Sequence, residues 1–480
     1  MTTVTTAVET FPMYIGGEWV ASGAEHTVTL PYDGSPAGKI YKADAATVRK
    51  AIAAAKQGAR AMKALTNYER AELLQRITAI VKRDVEEFGR LICAETGKPI
   101  KEARGEAERT LQTLIASAEV ARQLHGEVVP MDAAPIGKGR MAMTVREPLG
   151  VIGAITPFNV PFNLMMHKVG PALAGGNAVV HKPATVTPLS AGRFARVMEE
   201  AGAPKGAYNF ITGDGSVIGD ALVNSPDVAM ITFTGSREVG LAIRARAGMK
   251  KVTLELGSNS AVVIEPDCDL DTAVARCVMG SFAHSGQVCI SVQRVYVHER
   301  IADDFLAKFA AAAKKLKIGH PFEESTDISS LITEKEAIRV ASWIGEAKAA
   351  GAKVVIGGER KYATVPPTIL ADVPAAVKCS CQEVFGPVVV VNRYKNLDEA
   401  IERVNDSVYG LQAGIFTNDL ARAFQAAHRF EVGGVIINDV PMFRADHMPY
   451  GGVKESGTGR EGPRYAIEEM TEPKLICWKI

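Results

Sequence analysis

The sequence predicts an α/β protein built from two parallel-sheet domains, and three observations carry that prediction. From Met141 onward, short apolar runs (VIGAI, NAVVH, AYNFI, VAMITF, VTLEL) alternate with segments of helical length. Strands covered on both faces read as continuous apolar runs, and helices between them are crossovers. After about Gly257 a second alternation begins, with AVVIE, RVYVH, KVVIG, VVVVN and GGVIIN as its strands. At 480 residues and 47% hydrophobic, the chain exceeds what a single core supports and has the apolar material for more than one.

The elements follow in order. MTTVTTAVETF has neither a basic segment nor an apolar one, so residues 1–11 are expected to form a disordered tail without an export signal. Asp44 can cap a helix whose apolar positions Val48, Ile52, Ala55, Ala59 and Met62 share one stripe, and a second helix runs through Leu73, Leu74, Ile77 and Ile80. Gly97 and Pro99 end this helical region, and a third helix is expected from Ile100 to Leu124. It carries Arg104 and Arg109 among apolar neighbours; each is either a solvated helix-face residue or a pocket residue. The stretch from Pro148 to His167 has no Asp, Glu, Lys or Arg, but three prolines, two glycines and two asparagines interrupt it. It reads as a buried strand leaving into a turn, not as a membrane span. GDGSVIG follows a strand and opens a helix, which imitates a dinucleotide fingerprint with one extra residue. A helix is expected over Ile301 to Leu316, and the terminal EMTEPKLICWKI can be an edge strand.

Composition excludes several functions. Fifty-five basic against 54 acidic residues, without long runs of one sign, offer no broad footprint for nucleic acid or an anionic membrane. Seven scattered cysteines without a CxxC pair indicate neither a disulfide framework nor a metal site, and they suit a reducing cytoplasm. The expected partner is a small molecule.

The chemistry gathers on SFAHSGQVCIS, where Cys289 is the one reactive side chain. A lone cysteine is usually an inert apolar group. Here VTLELGSN adds Glu255 at a strand end, and TPFNVPFN adds Asn159 in a turn bracketed by prolines. Together with FTGS, EVFGPV and PYGGVKESGTGREG, these segments resemble the aldehyde dehydrogenase superfamily, in the expected order from about residue 12 onward.

The resemblance implies an aldehyde dehydrogenase-like fold. Two Rossmann-type α/β domains would be accompanied by a small oligomerisation hairpin and tail. Residues 12–127 and 148–256 would bind the cofactor, 257–466 would form the catalytic domain, and 128–147 with 467–480 would join subunits into a homodimer or homotetramer. It implies Cys289 as nucleophile, Glu255 as the base that hydrolyses a thioester, and Asn159 as oxyanion donor. NAD or NADP would lie against Thr156, Pro157, Phe158, Lys182, Gly215, Phe233, Gly235, Ser236, Glu255, Leu256, Glu383 and Phe385. Many NAD-preferring relatives carry a glutamate three residues after the lysine; Thr185 stands there, and a neutral side chain tolerates or favours the 2′-phosphate of NADP. ELGSN in place of the common ELGGK puts Ser258 and Asn259 beside the base.

By motif offset, His167 and Arg444 fall where detoxifying members often place aromatic rings, with Val288 and Tyr450 nearby. Polar groups there favour a short hydroxylated or anionic aldehyde, of the kind of lactaldehyde, glyceraldehyde, succinic semialdehyde or phosphonoacetaldehyde. Arg444 could instead brace Asp446. Competing readings are a broad-specificity dehydrogenase of aliphatic or aromatic aldehydes, a CoA-acylating one, a catalytically silent binding protein, and a cysteine hydrolase using His284 as base.

Overall fold

The computed structural model describes residues 8–480, so the first seven residues of the expected tail lie outside the described residues. The rest of that tail is a correction: Thr10–Phe11 is a strand parallel to Pro36–Lys42. Phe11 is buried with Val28, Ile40 and Leu189, and burying that ring orders the segment.

The helical region follows its sequence signals. Asp44 accepts the Thr47 N–H at 2.8 Å and caps Ala45–Ala64. Thr66 and Glu69 form a reciprocal capping box for Asn67–Arg83. Gly97, at φ 69°, closes Val85–Thr96, and Ile100–Gln123 follows.

An eight-stranded sheet runs Gly457–Thr458, Lys251–Glu255, Met230–Thr234, Val151–Ile155, Ala178–Lys182, Tyr208–Phe210, Met13–Ile15, Glu18–Val20. Its five central strands, 251–255 through 208–210, are parallel, as their apolar runs require. A seven-stranded sheet runs Lys353–Ile356, Thr368–Ala371, Val388–Tyr394, Arg294–His298, Ala261–Ile264, Gln412–Phe416, Gly434–Ile437, all parallel except the first. Separate apolar clusters cover the two sheets. The chain then returns: 457–458 adds an antiparallel edge to the first sheet, so the stretch expected to be catalytic up to 466 re-enters the first unit about ten residues earlier.

A third sheet orders Thr471–Lys479, Arg140–Pro148, Val128–Val129, antiparallel throughout. The expected edge strand is therefore present. The Pro148–His167 stretch gives the expected strand and turn, but a helix, Pro161–Ala174, begins inside it with Pro161 in its first turn.

Candidate active site

In the first sheet the chain moves outward from Val151–Ile155 in one direction and then returns to its other side at Met230–Thr234. The carboxyl ends of these adjacent parallel strands diverge, and such a switch point opens a crevice. A cleft of about 1260 Å³ occupies it. Thr156, Pro157, Phe158 and Asn159 continue the first of these strands into the wall, and Gly235 with Ser236 continue the second. Lys182, Phe233, Glu255 and Leu256 add the neighbouring strand ends, and Gly215 opens the helix Gly215–Asn224 at the rim. From the second unit come Cys289, Glu383 and Phe385, on segments that lead into the strands 294–298 and 388–394.

The walls suit a dinucleotide. Ser236 precedes Arg237–Arg246 without making a side-chain cap, so the first N–H groups of that helix remain for a diphosphate. Burial pushes the Lys182 ammonium down to about 8. Phe158 and Phe385 meet edge to face across the cleft at 5.7 Å. Thr156 Oγ1 lies 2.9 Å from His181 Nε2, whose Nδ1 lies 2.8 Å from the Tyr208 hydroxyl; burial keeps this imidazole neutral, down at about 3. Thr185 is a correction. Its hydroxyl donates to the Gly213 carbonyl at 2.8 Å, and Ala184 and Val186, not Thr185, line the cleft.

The nucleophile loop is held by unusual backbone. His284 and Ser285 adopt φ of 47° and 53°, and Gly286 follows at 71°. A Cβ on Gly286 would lie 2.1 Å from the Gly386 carbonyl oxygen, so only glycine fits against that neighbouring turn. Ser285 Oγ donates to Ser329 O at 3.1 Å, and the Asn159 amide donates to Gln287 O at 2.8 Å. Cys289 is half-buried, and its Sγ lies 3.0 Å from the Tyr450 hydroxyl. Burial pushes the thiol up to about 12; the Tyr450 hydrogen bond and the Arg444 charge oppose this, while Glu383 and Glu255 add to it. No Cys–His pair forms: His284 is buried, with its backbone N–H on Glu102 at 2.8 Å, and burial keeps its ring neutral.

Glu255 ends its strand 4% exposed, with Oε2 lacking a partner among the described residues. Burial, reinforced by the Glu461 charge, holds its carboxyl well above 4.5. Space beside it is reserved by Gly451, where a Cβ would stand 2.8 Å from Glu255 Oε1. Ser258 donates its N–H to Glu383 at 2.9 Å, and burial raises that carboxyl to about 7. Asn259 bridges Ser380 O (3.0 Å) and Ser407 Oγ (2.8 Å). Of the two departures from ELGGK, the Asn259 side chain ties the inter-sheet crossing to the second unit, whereas the Ser258 contact is made by its backbone.

The residues proposed for substrate divide. Arg104 is a correction: it pairs with Glu86 at 2.7 Å and Glu324 at 2.6 Å on the surface. Five helical residues from Arg109 place it about 140° around the axis, so the two cannot share a face. Arg109, His167, Arg444 and Tyr450 do gather. Asp446 accepts from Arg109 Nη2 at 2.8 Å and Asn163 Nδ2 at 2.9 Å, and lies 3.1 Å from His167 Nε2. These partners hold its carboxyl below the usual carboxylate range against the effect of burial. The brace expected between Arg444 and Asp446 is replaced: Arg444 donates to Glu461 at 3.0 Å and lies over the Tyr450 ring at 3.7 Å. Lys168 holds the other Glu461 oxygen at 2.9 Å. Val288 packs with Ile290, Leu411 and Tyr450 beside the thiol.

Lys168 and Glu461 are the site residues that sequence reasoning missed. Lys168 is the one Lys, Arg, Asp or Glu in Pro161–Ala174, a helix buried along its whole length, and that isolation was a usable signal. Among the described residues, no group of three or more His, Cys, Asp or Glu is placed to hold a metal ion, and no helix is long and apolar enough to cross a membrane.

A switch-point cleft that reaches a half-buried cysteine, an unpaired carboxylate and an amide donor defines a cofactor-dependent enzyme of carbonyl chemistry. The chain belongs to the aldehyde dehydrogenase family, whose model matches residues 19–476. It is an NAD(P)-dependent oxidoreductase acting on aldehydes. It is similar to the 3-sulfolactaldehyde dehydrogenase of Priestia aryabhattai, 50% identical over 471 residues and covering 98% of each chain. Aldehyde dehydrogenase 21 from Physcomitrella patens, in complex with the reaction product succinate, superimposes with a TM-score of 0.96 at 39% identity, covering 99% of each chain. The glyceraldehyde-3-phosphate dehydrogenase GapN from Methanocaldococcus jannaschii, complexed with NADP, gives 0.92 at 39% identity, covering 96% of this chain and 100% of that one.

Proposed function

We propose that the enzyme oxidises a short polar aldehyde, hydroxylated and with an anionic group at its far end, to the carboxylic acid. Cys289 attacks the carbonyl carbon, and the second amide N–H of Asn159, left over from its bond to Gln287, donates to the oxyanion. When bound, NAD(P) supplies the hydride acceptor. The acyl group left on Cys289 as a thioester is opened by water, with Glu255 accepting the proton. Glu255 supports release by water rather than by CoA.

The substrate class rests on one observation, the charge balance around Asp446 and Glu461. Three cations (Arg109, Arg444, Lys168) face these two carboxylates and His167 is kept neutral chiefly by burial, so one positive charge is left over while Glu255, which Lys168 and Arg444 also face, is protonated. Arg109 is the exposed member, with its side chain 46% accessible and Nη1 outside the Asp446 pair. The sulfonate, carboxylate and phosphate carried by the relatives' compounds share this anionic character. Acceptance of NADP is supported by the buried Lys182 on the cleft wall. We further propose a cytoplasmic homo-oligomer, supported by seven free cysteines and the apolar outer sheet.

A panel of aldehydes assayed with both cofactors, with and without CoA, tests this reading. Sulfonated, phosphorylated or carboxylated three- and four-carbon aldehydes are expected to exceed hexanal and benzaldehyde in kcat/KM without CoA. Arg109→Leu should lower kcat/KM for the anionic compounds about tenfold or more while sparing propanal. A wild-type preference for benzaldehyde would refute the substrate class.

A further inference from the structure

We propose that Tyr450 is a further catalytic residue, whose hydroxyl donates to the sulfur of Cys289 and stabilises the thiolate before substrate arrives. This rests on Cys289 being the nucleophile. The hydroxyl is 3.0 Å from Sγ, and every other charged group facing the sulfur is placed differently: Arg444 behind the Tyr450 ring, Glu255 and Glu383 as carboxylates that disfavour a second anion. A half-buried thiol under the influence of two carboxylates would stay protonated without a directed donor.

The direction of the hydrogen bond follows from the surroundings. Burial, with Cys289 and Glu255 nearby, holds the phenol well above its ordinary range, so the thiol ionises first and the O–H remains to donate. Arg444, 3.7 Å over the ring centroid, draws on the ring electrons and makes that O–H a stronger donor. Arg444 is a positioning residue here, acting through the ring. Glu461 fixes it at 3.0 Å, Lys168 fixes Glu461 at 2.9 Å, and Tyr450 and Glu461 exchange backbone hydrogen bonds of 3.1 and 2.7 Å. The ring packs with Ile290 and Leu411, contacts that a phenylalanine would keep. The hydroxyl is thus separable from the fold.

The test is the pH dependence of Cys289 alkylation by iodoacetamide in the full-length enzyme, followed by mass spectrometry of the modified peptide; the thiolate displaces iodide, and no aldehyde is involved. Tyr450→Phe is expected to raise the midpoint by about one to two pH units, the scale of a lost hydrogen bond to a charged group. Replacement of Tyr450 by 3-fluorotyrosine, a more acidic donor, should lower it. Arg444→Met should raise the midpoint more in the wild type than in the Tyr450→Phe protein. A Tyr450→Phe midpoint within about 0.3 unit of wild type would overturn the proposal, as would no response to fluorination, and equal Arg444→Met shifts in both backgrounds would overturn the route through the ring. A Cys289→Ser protein that still oxidised aldehydes would instead refute the nucleophile assignment, whatever the alkylation profiles.

Discussion

Glu255 shows how one residue's role depends on surroundings that its sequence neighbours do not reveal. In VTLELGSN it reads equally as a surface carboxylate at a strand end; in the fold it is buried, with Oε2 unpartnered among the described residues, and raised by burial and by Glu461. A carboxyl held above 4.5 accepts no proton until the pH exceeds its raised value. Thioester hydrolysis should therefore be lost as pH falls, with an acid limb well above the ordinary carboxylate range. Glu255→Gln should abolish that limb in stopped-flow traces, leaving a single-turnover burst of reduced cofactor followed by slow release. Steady turnover at the wild-type rate would assign hydrolysis to another base. Cys289, Asn159 and Glu255 drew attention because their short runs resemble the aldehyde dehydrogenase motifs in order, not because any one of them is distinctive alone. The Arg444 pairing was not, because Glu461 is seventeen residues away and reaches it only through the return of the chain to the first unit.

At the scale of elements, periodicity and capping chemistry identified the strands and the early helices, since those signals are local. The helix Pro161–Ala174 escaped because its residues are buried all round and show no polar face to alternate with. Its N-terminus is satisfied from a distance: Glu106 accepts the Phe162 and Asn163 N–H groups at 2.9 and 3.2 Å and also pairs with buried Lys98. Removing this carboxylate strands a buried ammonium as well as the helix end. Glu106→Ala should destabilise the protein by about 3–5 kcal/mol in chemical denaturation. Lys98→Met added to Glu106→Leu should recover part of that loss, because it removes the buried charge. Since the same helix carries His167 and Lys168, activity on anionic aldehydes should fall with stability.

For the whole molecule, the sequence divides the chain into two α/β units, and the two sheets meet at one cleft because residues 256–260 connect strand 251–255 directly to strand 261–264. What local patterns could not show is that the chain's last segments return to the first unit before forming the outer sheet. That sheet leaves Leu475, Ile476 and Trp478 exposed along the final strand and Ile480 exposed just beyond it, with Met141 and Met143 exposed on its neighbour. An edge strand with such an apolar surface invites pairing or aggregation unless something covers it. A second copy of this chain is the occupant we favour, because the expected subunit-joining segments coincide with this sheet. Leu475→Glu combined with Trp478→Glu places two carboxylates on the strand, and burying them unpaired would cost several kcal/mol. Sedimentation should then show a smaller species than wild type at the same concentration, with Cys289 still open to alkylation because the cleft lies in the two main units. An unchanged sedimentation coefficient would place the subunit contact elsewhere on the molecule.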